Sequence, residues 1–235
     1  MSEATSHAQQ PLPTTPSMAM LRTLGLVAAI SGFLVVLAYQ ITQPMIEENK
    51  RLAIERALYQ VVPGAVARRD FVLTADGIAP RDPSAELNGV LLYAGYDADG
   101  KLQGIALEAA AQGYQDVIRL LYGYDPKCRC IRGIQVLKMA ETPGIGDQIA
   151  KDPAFIENFR ALDVSLNDAG DALRNPVVAV KHGKKTDPWQ IDAISGATIS
   201  SNAVARMLND SAQSVLPRVH ADLEQLTNPQ NGGAP

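Results

Sequence analysis

A long uncharged run near the N-terminus constrains the fold of this chain more than any other feature. From Thr23 to Ile46 there are 24 consecutive residues without a charged side chain. As an α-helix the run would measure roughly 36 Å, more than the ~30 Å hydrocarbon layer of a bilayer. No face of it is polar, which disfavours a buried helix of a soluble domain. The run predicts one transmembrane anchor, with a cleaved signal peptide as the alternative.

The charges that flank this run leave its orientation open. Arg22 is the only cation before it, whereas Lys50, Arg51 and Arg56 follow it. The positive-inside rule would place the C-terminal part in the cytoplasm, but the rule weakens for long translocated domains.

Composition and periodicity divide the chain into five predicted regions. The polar, proline-containing start predicts a disordered leader, and the apolar stripe after the run predicts a stalk helix that ends at Pro63. The C-terminal residues lack any pattern of ordered structure. The predicted regions are a disordered leader (1–20), a transmembrane helix (21–46), an amphipathic stalk helix (47–64), a folded domain (65–220) and a flexible tail (221–235).

Alternating apolar residues and turn signals predict two hairpins in the folded domain. Asp97–Gly100 is a favourable hairpin turn. We also expect a helix over Ala154–Leu162, a strand over Val177–Lys181, and a helix over about 200–215 that Pro217 interrupts. The predicted class is α+β, with antiparallel hairpins covered by helices. The hairpin strands are Gly89–Tyr96, Lys101–Glu108, Val117–Tyr124 and Ile131–Lys138.

The composition excludes several function classes. The formal net charge is −4, so no basic surplus is present for binding nucleic acid. Three scattered histidines and two cysteines do not supply a zinc site, a cysteine-ligated iron–sulfur cluster or a disulfide scaffold, and we expect no metal site. Cys128 and Cys130 are predicted to be free thiols or a labile redox pair, without a catalytic role.

A segment with an unusual composition for a purely structural loop follows the second hairpin. It reads Glu141-Thr142-Pro143-Gly144-Ile145-Gly146-Asp147. Its proline and glycines predict a tight turn whose backbone can approach a planar ligand without a Cβ in the way. An ordinary connecting loop is the alternative.

The second such segment leads into the last long helix. It contains Ser195, Gly196, Ala197, Thr198, Ser200 and Ser201. The free N–H groups of a helix N-terminus favour an anion such as phosphate, whereas simple N-capping by these hydroxyls needs no ligand. Lys181, Lys184 and Lys185 lie upstream and would hold a phosphate or keep a loop soluble. No Walker A, Rossmann or Gly-x-Ser-x-Gly pattern occurs.

These two segments, in this order behind one apolar run, resemble a family of membrane-anchored FMN-binding proteins. Its members are the G subunit of the Rnf electron-transport complex and the C subunit of the sodium-translocating NADH:quinone oxidoreductase. The family motif Ser/Thr-Gly-Ala-Thr-x-Ser/Thr is matched by Ser195–Ser200, and Glu-Thr-Pro-Gly-Leu-Gly by Glu141–Gly146, with Ile145 in place of Leu. Gly113 and Tyr114 resemble the residues that precede that loop.

The resemblance implies that FMN is attached to Thr198 through a phosphoester. A flavin transferase would move FMN from FAD to this hydroxyl with Mg²⁺. The resemblance further implies a single-pass protein of the bacterial inner membrane with its domain in the periplasm. It would pass electrons to and from other membrane, iron–sulfur and flavin subunits of the complex and would not be catalytic alone.

The resemblance also implies where the parts of FMN would lie. The loop Thr142–Gly146 would contact the isoalloxazine ring, and Ser195, Gly196 and Ala197 the ribityl-phosphate end. Glu141, Ser200, Ser201 and Lys185 complete the predicted cofactor-binding set.

Two other functions remain open from the residues alone. One is a membrane-tethered module that binds a phosphorylated ligand reversibly at the same helix end, without electron transfer. The other is an assembly protein without a cofactor, in which Ser195–Ser201 only caps the helix.

Overall fold

The computed structural model describes residues 17–82 and 84–227, and the chain divides into two units, Met1–Lys50 and Arg51–Pro235. Helix α1 extends over Ser17–Val61. In the first unit its apolar side chains are exposed, and within the described residues it is the one helix whose length and composition suit a membrane span. Thr23 and Thr42 donate to carbonyl oxygens one turn earlier, so their hydroxyls are satisfied within the helix.

The predicted leader and tail are described only in part. Residues 1–16 and 228–235 lie outside the described residues, while Ser17–Met20 belong to α1. At the other end, the structure differs from the flexible tail that the sequence predicts. Helix α3 (Thr198–Ala221) is followed by α4 (Leu223–Thr227), and Leu226 is fully buried. Tyr96 Oη donates to the Leu226 carbonyl at 2.8 Å, which ties this end to the sheet.

The second unit contains a seven-stranded antiparallel sheet in the order β2-β1-β3-β4-β5-β6-β7. Both predicted hairpins are present as neighbouring strand pairs. Strands β1 and β2 were not predicted from the sequence. The strands are β1 (Ala67–Thr74), β2 (Gly77–Pro80), β3 (Val90–Tyr96), β4 (Leu102–Gln112), β5 (Val117–Asp125), β6 (Cys130–Lys138) and β7 (Leu162–Asp163).

Helices pack on both faces of this antiparallel sheet, and the chain is of the predicted α+β class. The larger core lies between the sheet and α3, whose buried side chains include Val204, Leu208 and Val215. The helix continues through Pro217 to Ala221 because Leu216 and Val219 are fully buried on either side of it. The predicted break at Pro217 is therefore wrong: burial of its neighbours outweighs the lost backbone hydrogen bond.

The end of α1 packs on the opposite face of the sheet. Ala57, Leu58 and Val61 are buried there with Tyr93, Ala106 and Leu121. Glycines in the strands beneath allow this close approach. A Cβ at Gly104 would lie 3.0 Å from Val62 Cγ1, and one at Gly123 would overlap the carbonyl of Val61. We call the glycines of strands β3 to β6 under this helix end (Gly95, Gly104, Gly123 and Gly133) the glycine bed.

The remaining elements lie between β6 and α3. A 3₁₀ turn covers Gly146–Ala150, and a parallel strand pair joins β8 (Val178–Val180) to β9 (Gln190–Asp192). Helix α2 covers Pro153–Glu157, shorter than the predicted Ala154–Leu162, because Leu162 pairs with β6 as part of β7. In the β5–β6 turn, Cys128 and Cys130 form a disulfide, so the two are not free thiols in this structure.

Candidate functional site

The two segments that the sequence singles out meet at one cleft of about 530 Å³. The turn after β4 forms one wall, the loop after β6 forms the second, and the start of α3 forms the third. The residues that line it are Tyr114, Glu141, Thr142, Ile145, Gly146, Gly196, Ala197, Thr198, Ile199 and Ser200.

The carboxylate of Glu141 connects all three walls. Only 5% of Glu141 is exposed. Its oxygens accept the backbone N–H groups of Tyr114, at 3.3 Å, and Gln115, at 3.2 Å, and the hydroxyl of Ser200. Burial alone would raise the pKa of Glu141, but these hydrogen bonds outweigh it and hold the pKa below the ordinary value of 4.5. The cleft therefore contains an ionised carboxylate at neutral pH.

Glycines are required where the backbone passes this carboxylate. A Cβ at Gly146 would lie 2.7 Å from Glu141 Oε2 and 3.0 Å from Ser200 Oγ. A Cβ at Gly113 would overlap Glu141 Oε1. The second glycine of the loop thus makes room for Glu141 and Ser200, in addition to any space that it leaves for a ligand.

Further hydrogen bonds fix the conformation of the loop. Thr142 Oγ1 accepts from Gln115 Nε2 at 2.9 Å, and Asp147 Oδ1 accepts the Gly144 N–H at 2.7 Å. Gly144 has φ +79°, a left-handed conformation that favours glycine. The hydrogen bond from Lys151 is the main cause that keeps the pKa of Asp147 low. Asp147 closes the loop on itself, a role that the sequence does not reveal.

The hydroxyls at the start of α3 do not cap the helix. The N-cap residue is Ala197, and no side chain accepts a capping hydrogen bond there. Ser200 donates to Glu141, and Ser201 Oγ accepts the N–H of Ile194 at 3.1 Å. The capping interpretation therefore does not explain why this segment is rich in hydroxyl groups.

Thr198 differs from its neighbours in having no partner. It is the first residue of α3, it is exposed, and among the described residues its hydroxyl makes no hydrogen bond. In the same part of the chain, the N–H groups of Thr198, Ile199 and Ser200 have no acceptor either. A free hydroxyl thus lies beside free donors at the positive end of a helix, as attachment of a phosphate group requires.

The structure brings most of the predicted cofactor-binding residues to the cleft, but not all. Pro143, Gly144 and Ser195 are exposed beside the lining residues, and Ser201 is buried behind them. Lys185 does not line the cleft; its Nζ donates to Asn158 Oδ1 at 3.1 Å, and burial lowers its pKa. Tyr114 and Ile199 line the cleft without having been in the predicted set.

Comparison with known protein families agrees with this geometry. Residues 22–61 match the RnfG N-terminal region, and residues 113–213 match the FMN-binding domain. The second match contains every residue that lines the cleft. The fold and the site therefore define a membrane-anchored FMN-binding protein.

Relatives of known name specify the family. The G subunit of the ion-translocating oxidoreductase complex of Methanosarcina acetivorans is 32% identical over 193 residues, which cover 82% of this chain and 91% of the relative. The protein of the same name from Pseudomonas aeruginosa is 31% identical over 211 residues, 88% of this chain and 90% of the relative. The chain belongs to the family of G subunits of ion-translocating oxidoreductase complexes.

Solved structures share the fold. NqrC of Shewanella oneidensis superposes with a TM-score of 0.57 at 19% identity, over 76% of this chain and 98% of that chain. The C subunit of the Na⁺-translocating NADH-quinone reductase from Parabacteroides distasonis gives a TM-score of 0.50 at 22% identity, over 68% and 78%. At these identities the likeness establishes the fold alone.

Proposed function

We propose that this chain carries FMN on the hydroxyl of Thr198 and relays electrons within an ion-translocating oxidoreductase complex of the ferredoxin:NAD type. The observation that carries the proposal is the free, exposed Thr198 hydroxyl at the mouth of a cleft inside the FMN-binding domain. Bound FMN would supply the redox chemistry, and the protein would bind and orient it.

The start of α3 suits the phosphate end of FMN. The unpaired N–H groups of residues 198–200 favour the negative charge of a phosphodiester at Thr198. Gly196 has φ +85° and open space at its Cβ position, so the backbone there leaves room for the ribityl chain. Ser195 and Ala197 complete this end of the proposed site.

The loop after β6 suits the ring end of FMN. Its hydrogen bonds to Gln115 and Asp147 hold it in one conformation before any ligand binds. The side chains of Tyr114, Ile145 and Ile199 are more than half exposed at the cleft, which leaves apolar surface for an aromatic ring to cover. Residues Thr142–Gly146 are proposed to contact this ring.

Attachment needs a separate flavin transferase. A threonine hydroxyl is a weak nucleophile without an adjacent base, and no described residue hydrogen-bonds to that of Thr198. In the transfer with Mg²⁺, the Thr198 Oγ1–phosphorus bond forms while the diphosphate bond of FAD breaks. AMP leaves, and the hydroxyl proton is released. The exposure of Thr198 gives the transferase access to the hydroxyl.

We place the folded domain in the periplasm of a bacterial inner membrane, anchored by α1. The disulfide Cys128–Cys130 supports this side, because disulfides persist in oxidising compartments and are rare in the cytosol. Protease added to intact spheroplasts should degrade the domain, whereas a cytoplasmic marker protein should survive. Protection of the domain until the membrane is opened with detergent would contradict this orientation.

Intact-mass measurement and flavin fluorescence on a denaturing gel test the covalent site. Chain purified from its native host should carry the added mass of one FMN phosphoester and fluoresce after denaturation. Thr198→Val should lose both signals. Ser214→Ala is the matched control, because Ser214 is an exposed hydroxyl residue of the same helix outside the cleft, and it should retain both.

The alternative function gives a different result in the same experiment. A module that binds a phosphorylated ligand reversibly at the free helix end would release it on denaturation. Its denatured mass would then equal that of the sequence. Flavin retained by Thr198→Val would instead show that another residue is the attachment site.

A further inference from the structure

We propose that Glu141 is a positioning residue that holds the cleft in shape through Ser200, and that its negative charge lowers the reduction potential of the flavin. This inference rests on the proposed function for its second half, because it assumes FMN in the cleft. The claim that Glu141 holds the cleft in shape does not depend on bound FMN. The hydrogen bond from Ser200 Oγ to the Glu141 carboxylate is called the Glu141–Ser200 bridge below.

The bridge joins parts of the chain that are distant in sequence. Glu141 belongs to the loop after β6, whereas Ser200 is the third residue of α3. The same carboxylate holds the turn at Tyr114 and Gln115 by two backbone hydrogen bonds. Loss of the carboxylate would therefore remove three links between the walls, while the hydrogen bond from Gln115 Nε2 to Thr142 Oγ1 would still join the turn to the loop.

The position of Ser200 explains how the bridge would orient the attachment site. Ser200 lies two residues after Thr198 in the first turn of the same helix. Fixing Ser200 against Glu141 therefore holds the first turn of α3, and with it the backbone of Thr198, against the loop after β6. Gly146 passes so close to both side chains that no larger residue fits without moving them.

The charge on Glu141 is not neutralised by a neighbouring cation. Among the described residues, no Lys, Arg or His forms an ion pair with it; only N–H and O–H groups are its partners. The low pKa keeps it ionised. A fixed negative charge that lines the same cleft disfavours addition of an electron to a group bound there.

A set of variants separates the charge of Glu141 from its contacts. Glu141→Gln keeps the side-chain shape but removes the charge. Ser200→Ala keeps the charge but removes the bridge, and Ser200→Thr restores a hydroxyl. Glu141→Asp keeps the charge but is one methylene shorter, so it weakens the contacts alone.

The first measurement is the reduction potential of the full chain, purified with its flavin in detergent and titrated by absorbance. Glu141→Gln should raise the potential, whereas Ser200→Ala should not raise it, because the charge remains. Ser200→Thr should keep the potential of the wild type for the same reason. A potential in Glu141→Gln equal to that of the wild type would overturn the electrostatic half of the proposal.

The second measurement needs no flavin. In the Thr198→Val background, amide hydrogen exchange at residues 114–116 and 142–147 reports how firmly the walls are held. Ser200→Ala and Glu141→Gln should each speed exchange there by about tenfold, as the loss of one buried hydrogen bond implies. Ser200→Thr should exchange like its parent.

If Ser200→Ala showed the same amide exchange rates as its parent, the proposal that Glu141 holds the cleft in shape would be overturned. Where Glu141→Gln yields no folded chain by circular dichroism, Glu141→Asp replaces it in the exchange measurement and should show the same acceleration. A wild-type chain without flavin would contradict the proposed function, while the exchange result would still decide whether Glu141 holds the cleft.

Discussion

In the loop from Glu141 to Asp147, each carboxylate and hydroxyl accepts a hydrogen bond from outside the loop, and Asp147 also accepts one from Gly144 within it. In the segment from Ser195 to Ser201, the hydroxyls of Ser200 and Ser201 are hydrogen-bonded. The hydroxyls of Ser195 and Thr198 have no partner among the described residues. The loop has two glycines and one hydroxyl group, whereas the segment has one glycine and four hydroxyl groups. The hydrogen bonds of the loop hold it in one conformation. The segment leaves the hydroxyls of Ser195 and Thr198 exposed, and Thr198 is the first residue of α3. The proposed attachment of FMN depends on this exposed Thr198 hydroxyl.

The contrast between free and bonded hydroxyls is tested most strongly by removing one hydroxyl of each kind. Thr198→Val should abolish bound flavin while changing the free energy of unfolding of the flavin-free chain by less than roughly 0.5 kcal/mol. Ser201→Ala should keep the flavin but lose about 1–2 kcal/mol, because the N–H of Ile194 loses its acceptor. Urea denaturation and flavin absorbance measure the two effects. Equal loss of flavin in both variants would contradict the division of roles.

The two glycines of the loop provide a second contrast. Gly146→Ala should destabilise the domain by about 2 kcal/mol, because the added Cβ meets Glu141 and Ser200. Gly144→Ala meets open space and should cost only about 1 kcal/mol, from its left-handed backbone. Denaturation midpoints decide between them. The comparison fails if Gly144→Ala proves the more damaging of the two.

The charge state of Glu141 gives a pH dependence. Its pKa in the folded chain is below the ordinary value of 4.5, so the stability it contributes is present above that pH. As the pH falls below about 4.5 and through the folded pKa, this contribution is lost. Thermal unfolding of the flavin-free chain between neutral and acidic pH should show the loss, and Glu141→Gln should lack that component. If the stability of the wild type and of Glu141→Gln fell equally with decreasing pH, this contribution of Glu141 would be contradicted.

The smallest expected effect concerns an exposed hydrogen bond of the loop. Thr142→Val removes the acceptor of Gln115 Nε2. Because Gln115 is exposed and water replaces the lost partner, we expect a loss of about 0.5 kcal/mol with the flavin retained. Gln115→Ala should give the same value, since both substitutions remove one bond. A much larger loss in either variant would show that Thr142 has a further role.

Local sequence patterns were sufficient to predict the central strands, but not strand β1 or the C-terminal helices. Alternating apolar residues predicted the hairpins of β3–β4 and β5–β6 correctly. Strand β1 carries Arg68, Arg69 and Asp70, and its pairing with β3 cannot be seen in so polar a sequence. The helix through Pro217 and the burial of Leu226 depend on packing against distant strands, which no local pattern encodes.

The sequence singled out the two segments that meet at the candidate site, but not the hydrogen bonds that join them. Resemblance to a family identified the loop at Glu141 and the segment at Thr198, and the structure brings both to one cleft. The Glu141–Ser200 bridge spans 59 positions, so spacing along the chain gives no sign of it. Lys185 was predicted near a phosphate because of its charge alone, and the structure instead pairs it with Asn158.

The close packing of the end of α1 on the glycine bed determines where the chain can be truncated to give a water-soluble domain. A fragment cut immediately after Pro63 would uncover the apolar side chains of Tyr93, Ala106 and Leu121. Such a fragment would be prone to aggregate through the bared sheet surface. A truncation that retains the chain from Arg51 onward keeps that surface covered, and is the rational starting point for solution work on the isolated domain.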